Sequence, residues 1–452
     1  MDALPDPTRT FLHRTALTQQ RDGRVPGLAA GVARGGELLW FGGIGTTAVG
    51  SDDHPGPDDQ FLVASNTKTF TAVMVLQLRD EGRLSLDDRL GDHLPVVPHD
   101  VTVRQALAHV SGMQREPLGD VWDTLVQPDA TALVRGFAEA ERVGRPHTRW
   151  HYSNLAYAVL GQVIEHLDGR PWWEALRSRL LEPLEMSRTT VGFVDDGHVT
   201  GYFVPPFHDV PREEPVIDLR AMNPVGGLAS TARDLARWSA FVAAPDPAVL
   251  SPDTLEEMCQ PQVLTDVDRW TTGMGLGFFL HRSASGRTWV GHDGGMPGHS
   301  TALLTHRESG TGGIVLMGST SSPDPGALAI ALADRVVDDV PADDEPWRPG
   351  TSVPEELAGI IGRWYSEGRG FTFSVREGRL EARQDGAPAT RAPSVFEAES
   401  PDRLRTVSGR ERGELLRVTR ADDGRVDRLH WATYLCTREP LGFGEHLPGG
   451  GS

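Results

Sequence analysis

The strand-like stretches of the first 340 residues fall at its two ends, with helix-like sequence between them, and this distribution limits the folds open to the chain. Gly27 to Ala33 (GLAAGVA) and Glu37 to Gly42 (ELLWFG) flank an Arg34-Gly35-Gly36 turn and read as a β-hairpin. Thr288 to Gly291, Ser300 to His306 and Gly313 to Gly318 are short, apolar or alternating, and separated by glycine-rich turns. From about Val101 to Leu184 helical patterns dominate, Asn154 to Leu167 being an example. The expectation is an α+β domain whose antiparallel sheet is begun early, completed late and flanked by helices.

A length of 452 residues suggests one large domain and a smaller one. The acidic, proline-rich stretch from Asp338 to Glu356 suits a linker. Beyond it GRWYS, FTFSV, LRTVS, ELLRVTR and LHWATYLCTR read as successive strands with turns at Arg376-Glu377-Gly378 and Asp422-Asp423-Gly424, so a small antiparallel β-barrel is expected. The expected layout is a catalytic domain over 1–340, a linker over 341–356, a barrel over 357–445 and a flexible tail over 446–452.

The net charge of −19 disfavours nucleic acid and anionic membrane surfaces as partners, because both repel an acidic protein at long range. No apolar run approaches the length needed to cross a bilayer. Met1 to Leu17 has no apolar core of a signal peptide, and Cys259 and Cys436 are too few for a disulfide framework. A cytoplasmic enzyme with neither metal nor cofactor is the resulting expectation.

Chemistry concentrates at Ser65-Asn66-Thr67-Lys68, just before or in the first turn of a buried helix running from Thr67 to Gly82. The spacing sets a hydroxyl and an amine one helical turn apart on one face. A serine becomes a nucleophile when a base takes its proton, and a desolvated lysine can be that base. Of 44 basic side chains 43 are arginine, which cannot deprotonate, and the single lysine stands three residues after Ser65. The alternative is a surface lysine beside an N-cap serine.

Tyr152-Ser153-Asn154 sits at a loop-to-helix junction. Beside an ammonium a Tyr152 phenolate would be stabilised, suiting it to relay protons, and Asn154 is placed to orient a substrate amide. Taken alone, the two residues read more readily as a packing ring and a helix cap. Val290 to Gly295 reads as a strand ending in glycines, where Gly294 would let substrate approach and His292 would polarise or anchor it. Backbone N–H groups of Ser65 and Gly295 form the natural oxyanion pair. His109, after an apolar helix end, reads as structural.

Together SNTK at Ser65, YSN at Tyr152 and HDG at His292 resemble the three motifs of the penicillin-recognising serine enzymes, in the branch of class C β-lactamases, D-alanyl-D-alanine carboxypeptidases, D-aminopeptidases and related esterases. LAHVSGM at Leu107, VGGLASTARDLARW at Val225 and GHDGGMPGHS at Gly291 look like the same branch, so the resemblance covers roughly residues 10 to 335. It implies a β-lactamase/DD-peptidase-like fold with a helical subdomain and an acyl-serine intermediate.

The C-terminal segment is similar to lipocalin-like barrels of stand-alone penicillin-binding-protein-type thioesterases, which release and cyclise nonribosomal peptides. That similarity implies a peptidyl or ester substrate, delivered in the thioesterase case by a peptidyl carrier protein. It also implies a barrel arginine that holds the peptide carboxylate, for which Arg438 in TYLCTRE is the match; a solvated strand arginine is the alternative. A cyclising thioesterase ranks first, ahead of a D-specific peptidase or esterase. A non-catalytic peptide-binding module is disfavoured by the intact Ser65, Lys68 and Tyr152.

Overall fold

The computed structural model describes residues 4–94, 100–194, 196–342, 347, 349–389 and 391–441. The tail expected at 446–452 and part of the expected linker lie outside the described residues. The chain divides into two compact units, Met1–Asp344 and Glu345–Ser452.

The first unit is built on an eight-stranded antiparallel sheet. In chain order its strands are β1 (Gly27–Arg34), β2 (Glu37–Gly45), β3 (Val263–Leu264), β4 (Thr272–Met274), β5 (Phe279–Arg282), β6 (Thr288–Met296), β7 (His299–His306) and β8 (Thr311–Met317). Their spatial order is β2-β1-β8-β7-β6-β5-β4-β3, so the early hairpin is extended by strands contributed after residue 260. The expected late strands are all present, and β3, β4 and β5 were not foreseen. Two of these carry only two or three residues, too few to show alternation.

Five helices matter for the site: α1 (Asp6–Asp22), α2 (Thr67–Asp80), α3 (Asn154–Asp168), α4 (Ala232–Ala243) and α5 (Pro325–Asp339). Alternation along β1 sends Leu28, Ala30 and Val32 into one core with Leu12 of α1 and Leu332 of α5. Ala29 and Ala33 face a second core that holds α2, α3 and α4. Adjacent glycines on β8 admit a helix on each face. A Cβ at Gly312 would lie 2.0 Å from Ser239 Oγ of α4, and one at Gly313 would lie 2.1 Å from the Ala329 carbonyl oxygen of α5.

The second unit is an up-and-down antiparallel barrel of eight strands: β9 (Gly362–Ser366), β10 (Arg369–Arg376), β11 (Arg379–Gln384), β12 (Ser394–Ser400), β13 (Arg403–Ser408), β14 (Leu415–Arg420), β15 (Val426–Trp431) and β16 (Tyr434–Cys436). Tyr365 on β9 exchanges backbone hydrogen bonds of 2.7 and 2.9 Å with Thr437 just beyond β16, which brings the barrel close to closure. LHWATYLCTR is two strands rather than one, because the chain turns back at Ala432 with φ of 54°. The interior is filled by Trp364, Phe373, Phe396, Leu416, Leu429 and their neighbours, as the bore of a small barrel requires.

Candidate active site

The nucleophile sits on a strained turn. After the short strand Phe61–Leu62, Ala64 takes a left-handed φ of 47° and opens a 3-10 turn over Ala64–Asn66 that runs into α2. A β-carbon in that conformation costs on the order of 1 kcal/mol, so the surroundings must hold it. They do so through buried Asn66, whose Nδ2 donates to the Val63 carbonyl (3.1 Å) and to Thr301 Oγ1 of β7 (3.0 Å). Thr301 Oγ1 in turn donates to the same carbonyl (3.1 Å). The turn is thereby fixed to the sheet with Ser65 at the floor of a cleft of about 640 Å3.

Lys68 projects from the first turn of α2 and is fully buried. Its Nζ donates to Ser65 Oγ at 2.9 Å and to the Val225 carbonyl at 2.9 Å. Burial drives its pKa well below 10.5, opposed by the charge of Glu116, and the amine is therefore suited to accept the Ser65 proton. The Tyr152 ring lies 4.9 Å from Lys68 Nζ, with its hydroxyl within hydrogen-bonding reach of Ser65. Burial raises the Tyr152 pKa, which corrects the expectation of a stabilised phenolate. Burial of the phenol disfavours its charged form, which suits Tyr152 to a role as a protonated hydroxyl.

His109 buttresses this pair. Its ring stacks on Tyr152 at 4.1 Å and on Tyr157 at 4.8 Å, and Nδ1 accepts the backbone N–H of Ser153 at 3.0 Å. Ser153 caps α3, its Oγ accepting from Ala156 N at 3.1 Å, so one short segment sets both the helix start and the tyrosine. The structural reading of His109 agrees with this packing.

Asn154 is more than a cap. Nδ2 donates to Glu116 Oε1 at 2.7 Å, and buried Oδ1 has no partner among the described residues. A lone acceptor at the cleft wall suits a substrate amide N–H. His292 is buried on β6, and Nδ1 donates to the Asp293 carbonyl, leaving Nε2 as a bare acceptor without a partner among the described residues. Burial pushes its pKa down to about 4, which suits it to accept from a substrate donor rather than to donate to a carbonyl.

Past Gly291, β6 has no partner on the β5 side, and residues 292–296 face the nucleophile turn. A Cβ at Gly294 would meet the Val63 carbonyl oxygen at 2.4 Å and Thr301 Oγ1 at 2.8 Å, so only glycine permits this approach. At Gly295 a Cβ would meet nothing within 4 Å, since the residue opens to the cleft beside Ser65.

Sequence reading missed five walls of the cleft: Arg115, Glu116, Trp122, Trp150 and Phe279. Arg115 lies over the Tyr152 ring at 4.9 Å, and Glu116 orients Asn154. The first two lie just past Gln114, which follows the LAHVSGM stretch, and that stretch is the signal that pointed nearby. Arg438 belongs to the barrel unit. There it donates to the carbonyls of Gly359, Ile361 and Arg363 at 2.7, 3.2 and 3.1 Å and stacks on Trp364 at 3.8 Å, a structural engagement not anticipated for it. No cluster that could hold a metal occurs among the described residues. None of their helices is long and apolar enough to cross a membrane.

The family model described as Beta-lactamase matches residues 13–337. This chain belongs to the beta-lactamase family. A domain of unknown function, DUF7586, matches residues 353–438. Penicillin-binding protein 4 of Amycolatopsis lactamdurans is 32% identical over 68% of this chain and 81% of its own length. Beta-lactamase-like protein 2 of Dictyostelium discoideum is 27% identical over 64% of this chain, which spans only 55% of that relative. The D-stereospecific amidohydrolase structure from Streptomyces sp. superposes with a TM-score of 0.63 at 27% identity, covering 73% of this chain and 98% of that one.

Proposed function

We propose that this enzyme transfers the acyl group of a peptidyl ester or thioester with a D-configured C-terminal residue through an acyl-Ser65 intermediate, releasing the peptide as a macrocycle. The donor would be a carrier-bound nonribosomal peptide in the cytoplasm. The observation that carries the reading is the buried Lys68 amine 2.9 Å from Ser65 Oγ, with Asn154 Oδ1 free beside it to receive a backbone N–H. Both cysteines are free thiols, which supports a reducing compartment.

In the first half-reaction neutral Lys68 accepts the Ser65 proton while Oγ bonds to the acyl carbon. The resulting oxyanion is held by the N–H groups of Ser65 and Gly295. The leaving group departs with the proton held on Lys68, relayed by the Tyr152 hydroxyl. In the second half an amine or water attacks the ester, its proton passes to Lys68, and Ser65 Oγ is reprotonated as the product leaves. Arg115 and Glu116 give the cleft a charge of each sign, which suits a substrate with peptide ends.

The similarity to a D-stereospecific amidohydrolase favours a second reading, hydrolysis of a D-configured amide or ester by the same intermediate. Linear peptide thioesters ending in D or L residues, followed by mass spectrometry, separate the two. Cyclic product from the D epimer alone supports the first. Hydrolysed product alone across several lengths supports the second, and an acyl-enzyme formed equally from both epimers overturns the stereochemical claim.

A further inference from the structure

We propose that the open end of the C-terminal barrel binds an amphiphilic carboxylate, a small molecule with an apolar body and one anionic head. At the end where β11 leads into β12 the packed interior gives way to a cavity of about 430 Å3, within the usual range of ligand pockets. Its floor is Phe371 and Trp431, which meet edge to face at 5.9 Å. The Trp431 N–H is already taken by Thr406 Oγ1 at 2.9 Å, so the floor presents ring faces and no unmet donor. Ala382, Ala387, Ala392 and Gly409 line the space and leave it open because none carries a side chain beyond Cβ.

The wall is basic. Arg383, Arg391 and Arg410 line the cavity and no carboxylate does, in a chain whose net charge is −19. Arg410 is paired with Glu411 at 3.0 Å and lies 5.7 Å from the Phe371 ring, and Arg383 gives one N–H to the Arg391 carbonyl. A guanidinium has five N–H donors, so both retain several for a ligand. An apolar floor alone would suit a hydrocarbon and a basic rim alone an inorganic anion. Stacked as they are, they match a molecule carrying both, with the fork of a guanidinium suited to a carboxylate.

The test is calorimetric titration of the full chain, with Ser65 blocked by a fluorophosphonate, using dodecanoate below its micellar concentration. One site per chain with Kd under about 100 μM is expected. Dodecanol and dodecyltrimethylammonium should bind at least about tenfold more weakly, and the double variant Arg383→Ala/Arg410→Ala should lose about tenfold or more for dodecanoate. Should the double variant misfold, Ala392→Trp, on an exposed position of the cavity wall, fills the space and should abolish binding. Absence of binding, equal affinity for the alcohol or the cation, or unchanged affinity in a folded variant would each overturn the proposal.

Discussion

Lys68 carries the most specific expectation at the scale of single residues. Lys68→Arg keeps a cation but removes a base, so acylation by a fluorophosphonate should fall by ~10^3-fold or more with circular dichroism unchanged. The unmodified enzyme should also have a distinctive pH profile. Because burial lowers the Lys68 pKa well below 10.5, the reactive neutral amine is already present at lower pH, and kcat/KM should rise through that lowered value and then level off. The raised Tyr152 pKa means no loss of activity through the ordinary phenol range near ~10. A limb that climbs until the ordinary lysine range would remove Lys68 as the base. The two neighbouring tyrosines should part ways: Tyr152→Phe should lose most turnover with little change in substrate affinity. Tyr157 donates to the buried Leu107 carbonyl at 2.8 Å, so Tyr157→Phe should cost about 1–3 kcal/mol of stability and leave the folded enzyme active. Equal loss of turnover in both would sink the relay.

Among the elements, the contact between β6 and the nucleophile turn matters most. Gly294→Ala drives a methyl group against the Val63 carbonyl and Thr301, a clash expected to cost about 1–3 kcal/mol and, by shifting Ser65, at least ~10-fold in acylation. Gly295→Ala, one residue on, meets no atom and should leave the melting temperature where it was. Thermal melts of the two variants compare the positions directly, and matching losses would refute this account of the strand. The extent of β6 was nearly all legible: Thr288 to Gly291 and Val290 to Gly295 both read as strand, and the chain continues extended one residue further to Met296, where β7 pairs with it.

For the whole molecule, two units with separate cores imply separable stabilities. Trp364 is fully buried in the barrel, and Trp364→Ala should destabilise it by about 3–5 kcal/mol. Scanning calorimetry should show one transition move and another stay. Arg438→Ala should move the same transition, since it frees three carbonyls and unstacks Trp364. A role for Arg438 in holding a peptide carboxylate requires more: a shift from cyclic to hydrolysed product at a temperature where the barrel stays folded.

The sequence by itself determined the antiparallel sheet shared between the chain's two ends, the barrel, and the motifs around Ser65, Tyr152 and His292. Those features are encoded by local periodicity and by residues whose chemistry stands out, a single lysine among 43 arginines above all. Tertiary structure decided what depends on burial and on approach between distant segments. It lowered the Lys68 pKa, raised that of the Tyr152 hydroxyl and left His292 Nε2 a bare acceptor, because desolvation is set by everything packed around a group and not by its neighbours in sequence. It brought Arg115 and Glu116 to the cleft from a loop without periodicity, and it drew Arg438 into the carbonyls of its own barrel. A side chain's partners 38 to 79 residues away have no trace in its local pattern.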